Sequence, residues 1–227
     1  DDFGLLESCR PRAWMTHLAD GGAGPESPRN RGQCDAIRSF AARLELVSVD
    51  KLPLSLGLDG AIALRGKVDM AEVRTGAALL GVEVFPEFLP LDGVVRLDAP
   101  VLRVIDVPTG ARVGYGSGWE ARRPSRVAVL AIGYAHGVPR SLAGAGRIGF
   151  GPDSGPHSAR IVGAISMELL ACDVTGLPEH ETAPGSRGRL LDGIYGINEM
   201  AKDSGRLDTE ILCALRACPK TYRPSSP

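Results

Sequence analysis

The side chains in this sequence that could do chemistry are few and widely spaced. His17, His136, His157 and His180 do not stand at metal-ligand spacing. The five cysteines, Cys9, Cys34, Cys172, Cys213 and Cys218, form no C-x-x-C pair, so neither a zinc ribbon nor a redox pair is indicated and no metal is expected. No phosphate-binding P-loop, no glycine-rich dinucleotide turn, no H-E-x-x-H helix and no G-x-S-x-G elbow is present. Lysine occurs only at 51, 67, 202 and 220; the rest of the Lys and Arg charge is arginine. The other side chains of chemical interest, tyrosines, arginines, methionines and His17 at the end of an apolar run, are not singled out by spacing. A tyrosine ionises near pH 10, so it takes a proton at neutral pH only where neighbours favour its anion. Singly, these residues have commoner uses: packing for a tyrosine, a strand-end hydrogen bond for a histidine, a surface ion pair for an arginine, core filling for methionine.

The elements that must position them fall into two sections. In residues 1–92, Arg12 to His17 reads as a buried strand whose C-terminal end faces a site. Residues 20–33 are rich in Gly, Pro, Ser and Asn and read as an exposed loop. Ile37, Phe40, Ala41 and Leu44 recur at helical spacing, residues 44–49 alternate as a strand does, and short apolar runs follow at 53–58 and 70–84. Strand and helix patterns in alternation predict an α/β unit. The character changes near Pro90. Residues 93–227 hold short β-rich runs at 95–107, 126–132, 160–167 and 169–174, with Pro100 breaking the first, and frequent turn signals. Two closing helices are predicted, 197–203 ended by Gly205, and 208–217 capped by Asp208 or Thr209. The second section therefore reads as a mostly-β domain, sandwich or barrel.

Composition sets the outer bounds. The chain has 227 residues, with 26 basic against 27 acidic side chains, so it has none of the basic excess of a nucleic-acid binder. No apolar run reaches the roughly 18 residues of a membrane helix. An odd number of thiols and no signal-peptide pattern point to the cytoplasm. The chain begins Asp-Asp-Phe, which suggests a cut or processed end.

One long stretch carries more than spacing. Val113-Gly-Tyr-Gly is followed by Ile132-Gly-Tyr-Ala-His-Gly-Val-Pro-Arg140, then Ile161-Val-Gly-Ala-Ile-Ser-Met-Glu168, then Cys172-Asp-Val-Thr175. In order and spacing this resembles the C-terminal β domain of the alanine racemase family. Met15-Thr-His-Leu-Ala, Asn30 through Gln33 to Phe40, Val73-Arg-Thr-Gly-Ala77 and Glu210-Ile-Leu-Cys213 are similar to further family segments. The resemblance implies a partial (β/α)8 TIM-type barrel followed by a mostly-β domain, since a whole barrel takes about 250 residues. It implies pyridoxal 5'-phosphate as cofactor and a small amino-acid substrate. The activity it implies is exchange of L- and D-alanine by two-base proton transfer on the cofactor's imine, supplying D-alanine for peptidoglycan. It also implies a homodimer with the active site shared between subunits. Tyr115 matches one of the two bases. His17 and Arg74 match the residues that favour its anion, and Arg74 also the partner of the cofactor's ring nitrogen. Gly76 and Ala77 match phosphate-binding backbone donors. Tyr134, Arg140 and Met167 match the substrate entrance and carboxylate side. The family's other base is the Schiff-base lysine of an A-V-x-K-A-N motif, and none of the four lysines here stands in that context, so an upstream stretch is expected to carry it.

The departures are specific. Asp59 stands at the family's phosphate-binding serine, where a carboxylate repels a phosphate dianion. Ala164 replaces an arginine, Glu168 and His136 each replace an aspartate, and Thr209 replaces a tyrosine. These changes motivate a rival expectation, a non-catalytic relative serving as a dimerisation or small-molecule-binding module.

Overall fold

The computed structural model describes residues 11–24, 26–45, 52–57, 59–64, 71–83, 91–116, 118–152, 157–192, 195–219 and 221. Two compact units divide the chain, Asp1–Leu91 and Asp92–Pro227.

In the first unit, β1 (Trp14–His17), β2 (Leu54–Gly57) and β3 (Glu72–Arg74) form a parallel sheet in chain order. Leu18, Cys34, Leu56 and Ala61 make its small core, with Leu54 and Val73 packed against them. Helix α1 (Pro28–Glu45) leans on this sheet, and Phe40 meets Trp14 edge to face at 5.5 Å. The helix starts five residues before the expected end of the loop at 33. Ser27 explains this: its hydroxyl accepts the Asn30 N–H at 3.4 Å, and Pro28 takes the first helical position, where its missing N–H costs nothing. The expected strand over 44–49 is not formed at its start, because Leu44 and Glu45 end α1; residues 46–49 lie outside the described residues.

The second unit is built on a closed antiparallel barrel with strand order β10-β7-β4-β11-β8-β9. Its strands are β4 (Leu97–Val107), β7 (Ser125–Leu130), β8 (Arg147–Phe150), β9 (His157–Val162), β10 (Leu170–Asp173) and β11 (Arg187–Leu191). Alternate residues point inward, and Leu130, Ile148, Phe150, Ile161, Leu170 and Leu190 are fully buried. Gly188 is required within β11: a Cβ there would lie 2.5 Å from Leu130 Cδ2 and 2.7 Å from Ile148 Cγ2. β4 runs unbroken through Pro100, against the expectation of separate short runs. Pro100 still offers its carbonyl to the Ala131 N–H at 3.0 Å, and the register shifts between Val101 and Arg103.

A short ribbon of β5 (Arg112–Val113) and β6 (Trp119–Glu120) lies on the barrel, where Val113 and Trp119 pack on Val107, Ala121, Val127 and Val162. Short helix α2 (Glu179–Thr182) precedes β11. Helices α3 (Ile197–Ser204) and α4 (Asp208–Ala214) follow it. Gly205, at φ 66°, ends α3 as its position predicts. The N-cap of α4 is Leu207 rather than Asp208 or Thr209; Asp208 and Glu210 instead place carboxylates in the first turn. Among the described residues, no helix is long and apolar enough to cross a membrane.

Candidate functional site

In the first unit, register decides the geometry. β1 pairs with β2 at His17 and Gly57, and β2 pairs with β3 at Gly57 and Arg74, so the three residues form one row at the C-terminal ends of parallel strands. Such ends are where open and closed α/β sheets gather their functional groups. Gly57 leaves the centre of the row empty. A Cβ there would lie 2.5 Å from both His17 Nδ1 and Arg74 Nη2, so these two side chains meet above it.

Hydrogen bonds fix the row. Arg74 Nη1 donates to the hydroxyl of buried Ser55 at 2.8 Å and to its carbonyl at 3.2 Å, while Nη2 donates to the Thr16 carbonyl at 2.9 Å. From α1, the Gln33 amide donates to Thr16 Oγ1 at 2.9 Å and to the His17 carbonyl at 2.5 Å. Ser55 had no assigned role in the sequence reading. Its signal was a small polar residue inside an apolar run, two positions before the glycine.

The loops after β2 and β3 meet beside this row. The Asp59 carboxylate accepts the Thr75 hydroxyl proton and the Gly76 N–H, the latter at 2.8 Å. Burial alone pushes the Asp59 carboxyl up. The hydrogen bonds from Thr75 and from the N–H groups of Gly76, Ala78 and Ala77 outweigh it and hold the carboxyl below its ordinary value. Gly76, expected with Ala77 to donate to an external phosphate, therefore donates to a side chain of its own unit.

In the second unit, Tyr115, Tyr134, Arg140 and Met167 line one cavity of about 580 Å³, together with Ala164 and Glu168. Tyr115 sits beyond the end of β5, 80% exposed. Its loop is seated by two glycines packed back to back: a Cβ on Gly114 would lie 2.6 Å from the Ala164 N, and one on Gly163 2.5 Å from the Val113 carbonyl. Both have positive φ, 92° and 67°. Gly163 also ends β9 at Val162, so the strand expected over 160–167 is cut short and residues 164–169 become the cavity wall.

The turn carrying Tyr134 docks on that wall. The Tyr134 N–H donates to the Ser166 carbonyl at 3.0 Å and the Ala135 N–H to the Met167 carbonyl at 2.9 Å. A Cβ on Gly133 would lie 2.2 Å from the Ser166 oxygen. Arg140 lies over the Tyr134 ring, 5.7 Å from its centre. His136 Nδ1 accepts the Gly133 N–H at 3.2 Å, so its ring nitrogen holds the turn as an acceptor. Lys202 is the one lysine among the described residues and lines a separate cavity with Arg147, His157 and Tyr195.

One unit thus carries a parallel-sheet row with a fixed arginine and histidine, and the other a β-barrel with tyrosines and an arginine around a cavity, which defines an α/β unit joined to a β-barrel unit. Comparison with known proteins narrows this. Residues 94–222, more than half the chain, match the family model "Alanine racemase, C-terminal domain". The chain belongs to the alanine racemase family. It is 34% identical over 219 residues to the biosynthetic alanine racemase of Mesorhizobium japonicum, covering 96% of this chain and 53% of that protein. It is 38% identical over 211 residues to the alanine racemase of a Methylobacterium species, covering 92% and 55%. The crystal structure of the Bartonella henselae alanine racemase with covalently bound pyridoxal phosphate superposes at a TM-score of 0.82 and 30% identity. That match covers 94% of this chain and 57% of that one. The chain spans about half the length of the curated relatives it matches.

Pyridoxal phosphate is the cofactor of alanine racemases, and its phosphate needs unoccupied donors. Among the residues expected to hold it, Arg74 lies in a row with room above Gly57, but the Gly76 N–H already serves the Asp59 carboxylate, whose charge also lies beside the Ala77 donor. The phosphate does not fit this donor set.

Proposed function

We propose that this chain supplies the later barrel units, 1–92, and the C-terminal β domain, 93–227, of a racemase that exchanges L- and D-alanine. The three parallel strands of the first unit are what the later part of a (β/α)8 barrel would contribute. The observation that carries the reading is the row His17–Gly57–Arg74 at the strand ends, in a chain of the alanine racemase family. In this reading the enzyme is a cytoplasmic homodimer with each active site shared between subunits, and its product feeds peptidoglycan synthesis.

Racemisation takes a proton from one face of the substrate's α-carbon and returns one to the other. The Tyr115 hydroxyl holds or releases the proton on one face. Its exposure suits a group that completes a site with a neighbouring subunit. Arg74, held by Ser55 and Thr16, and His17 beside it are the polar groups that the first unit offers at its strand ends. Arg140, stacked on Tyr134, is a cation for the substrate carboxylate, and Met167 lines the entrance.

The test is conversion of L-alanine to D-alanine by the full-length product that carries this chain. Turnover is expected, and Tyr115→Phe is expected to lower it about a thousandfold without changing the melt. A well-folded full-length product with no conversion overturns the proposal.

A second reading is favoured by Asp59 itself: a relative that keeps the dimerisation or small-molecule-binding surface without catalysis. Saturable uptake of pyridoxal phosphate by the full-length product, trapped by borohydride, excludes that reading.

A further inference from the structure

We propose that Asp59 is a specificity-determining residue that excludes phosphate from the loop after β3, its carboxylate standing where an external anion would stand. The inference deepens the racemase reading and rests on it, because the phosphate in question is that of the family's cofactor.

Three observations carry it. The donors converge: the Thr75 hydroxyl and the Gly76 N–H both donate to Oδ1 of Asp59. The carboxylate is buried, with Asp59 only 6% exposed, so a second anion at those donors would meet its charge at close range and poorly screened. The position is also closely packed on one side. The next residue, Gly60, sets its backbone against the turn at Gly21, where a Cβ would stand 2.2 Å from the Gly21 carbonyl oxygen. Arg74 directs its two terminal nitrogens to Ser55 and Thr16, so its guanidinium points those donors away from an anion in this loop.

The consequence is a loss of discrimination. In this chain a pyridoxal ring gains nothing at the loop after β3 from being phosphorylated. Replacing Asp59 by a small neutral residue frees the donors and removes the repulsion together.

The experiment is a phosphorus NMR titration of the full-length product that carries this chain, with inorganic phosphate and then pyridoxal 5'-phosphate. Parent, Asp59→Ser and Asp59→Asn are compared, and circular dichroism melts check that each is folded. The parent is expected to show no saturable phosphate broadening from this loop. Asp59→Ser is expected to gain a saturable site that the parent lacks, half-filled at a phosphate concentration on the order of a hundredfold below the highest at which the parent stays unsaturated. Asp59→Asn is expected to fall between, its charge gone but its bulk retained, and it carries the test if the serine variant does not fold. Equal phosphate binding by parent and variants overturns the proposal. So does a folded variant with no gain, because something other than Asp59 would then exclude phosphate. The racemase reading fails by a different observation, absence of alanine conversion, which this titration does not measure.

Discussion

The two units hold their candidate residues by different means. In the first, the row His17–Gly57–Arg74 shares its strands with the core: Leu56 is fully buried, and its neighbours Ser55 and Gly57 hold Arg74 and make room for it. In the second, the core lies inside a closed barrel, while Tyr115, Tyr134, Arg140 and Met167 stand on loops outside it, bounded by glycines and partly or largely exposed. Site and core are one structure in the first unit and two in the second. Substitutions in the second unit should therefore separate cleanly into those that unfold and those that disable. In the first unit the two effects should overlap.

The largest expected effect tests the barrel side of that contrast. Phe150 is fully buried, and Phe150→Ala should cost about 3–5 kcal/mol. Urea unfolding followed by circular dichroism measures this. Truncating an exposed rim residue of the same unit should leave the midpoint unchanged. If Phe150→Ala left the midpoint near the parent's, the barrel interior would not be the source of that unit's stability.

A smaller effect tests the sheet side. In Gly57→Ala the new Cβ displaces His17 and Arg74 together, a shift on the scale that costs an enzyme about a hundredfold. Alanine conversion by the full-length product should fall by that order, and the first unit's melting midpoint should fall with it. Lost activity with an unchanged melt would show that site and core are separable there too.

Much of this arrangement was legible in the sequence, for physical reasons. The β-rich run over 126–132 marks β7, and Gly205 marks the end of α3, because strand preference and positive φ leave a signature in residue type. The start of α1 was hidden because Ser27 and Pro28 sit among loop-forming residues, where a cap and a turn look alike. Pro100 was read as a break because proline removes a donor; the strand passes through it by using only its carbonyl. The cavity residues were found through their motifs, whereas Ser55 was not, since a buried serine announces nothing until its arginine is placed beside it. Least legible was the partner of Asp59. Its charge was evident, but the Gly76 N–H that meets it belongs to a backbone 17 residues away, and backbone donors have no residue type to read.

That carboxylate also gives the smallest effect and the sharpest distinction between the units. An aspartate in an unfolded chain titrates near pH 3.9. In the folded first unit Asp59 titrates lower, because the hydrogen bonds of Thr75, Gly76, Ala78 and Ala77 outweigh its burial. Folding thus favours the ionised form. The stability this contributes is fully present above about pH 3.9 and is lost as pH falls through the lower, folded value. Urea midpoints of parent and Asp59→Asn at pH 5 and pH 3 measure it. The variant should be less stable at pH 5, and the gap should narrow at pH 3, because protonation has begun to do to the parent what the substitution does permanently. Polar pairs in the barrel unit, such as Arg123–Asp173 and His157–Glu181, are common to both proteins and cancel in the difference. Parallel curves for parent and variant would mean that Asp59 is not held as an anion by its donors, and the loop after β3 would then be free to accept one from outside.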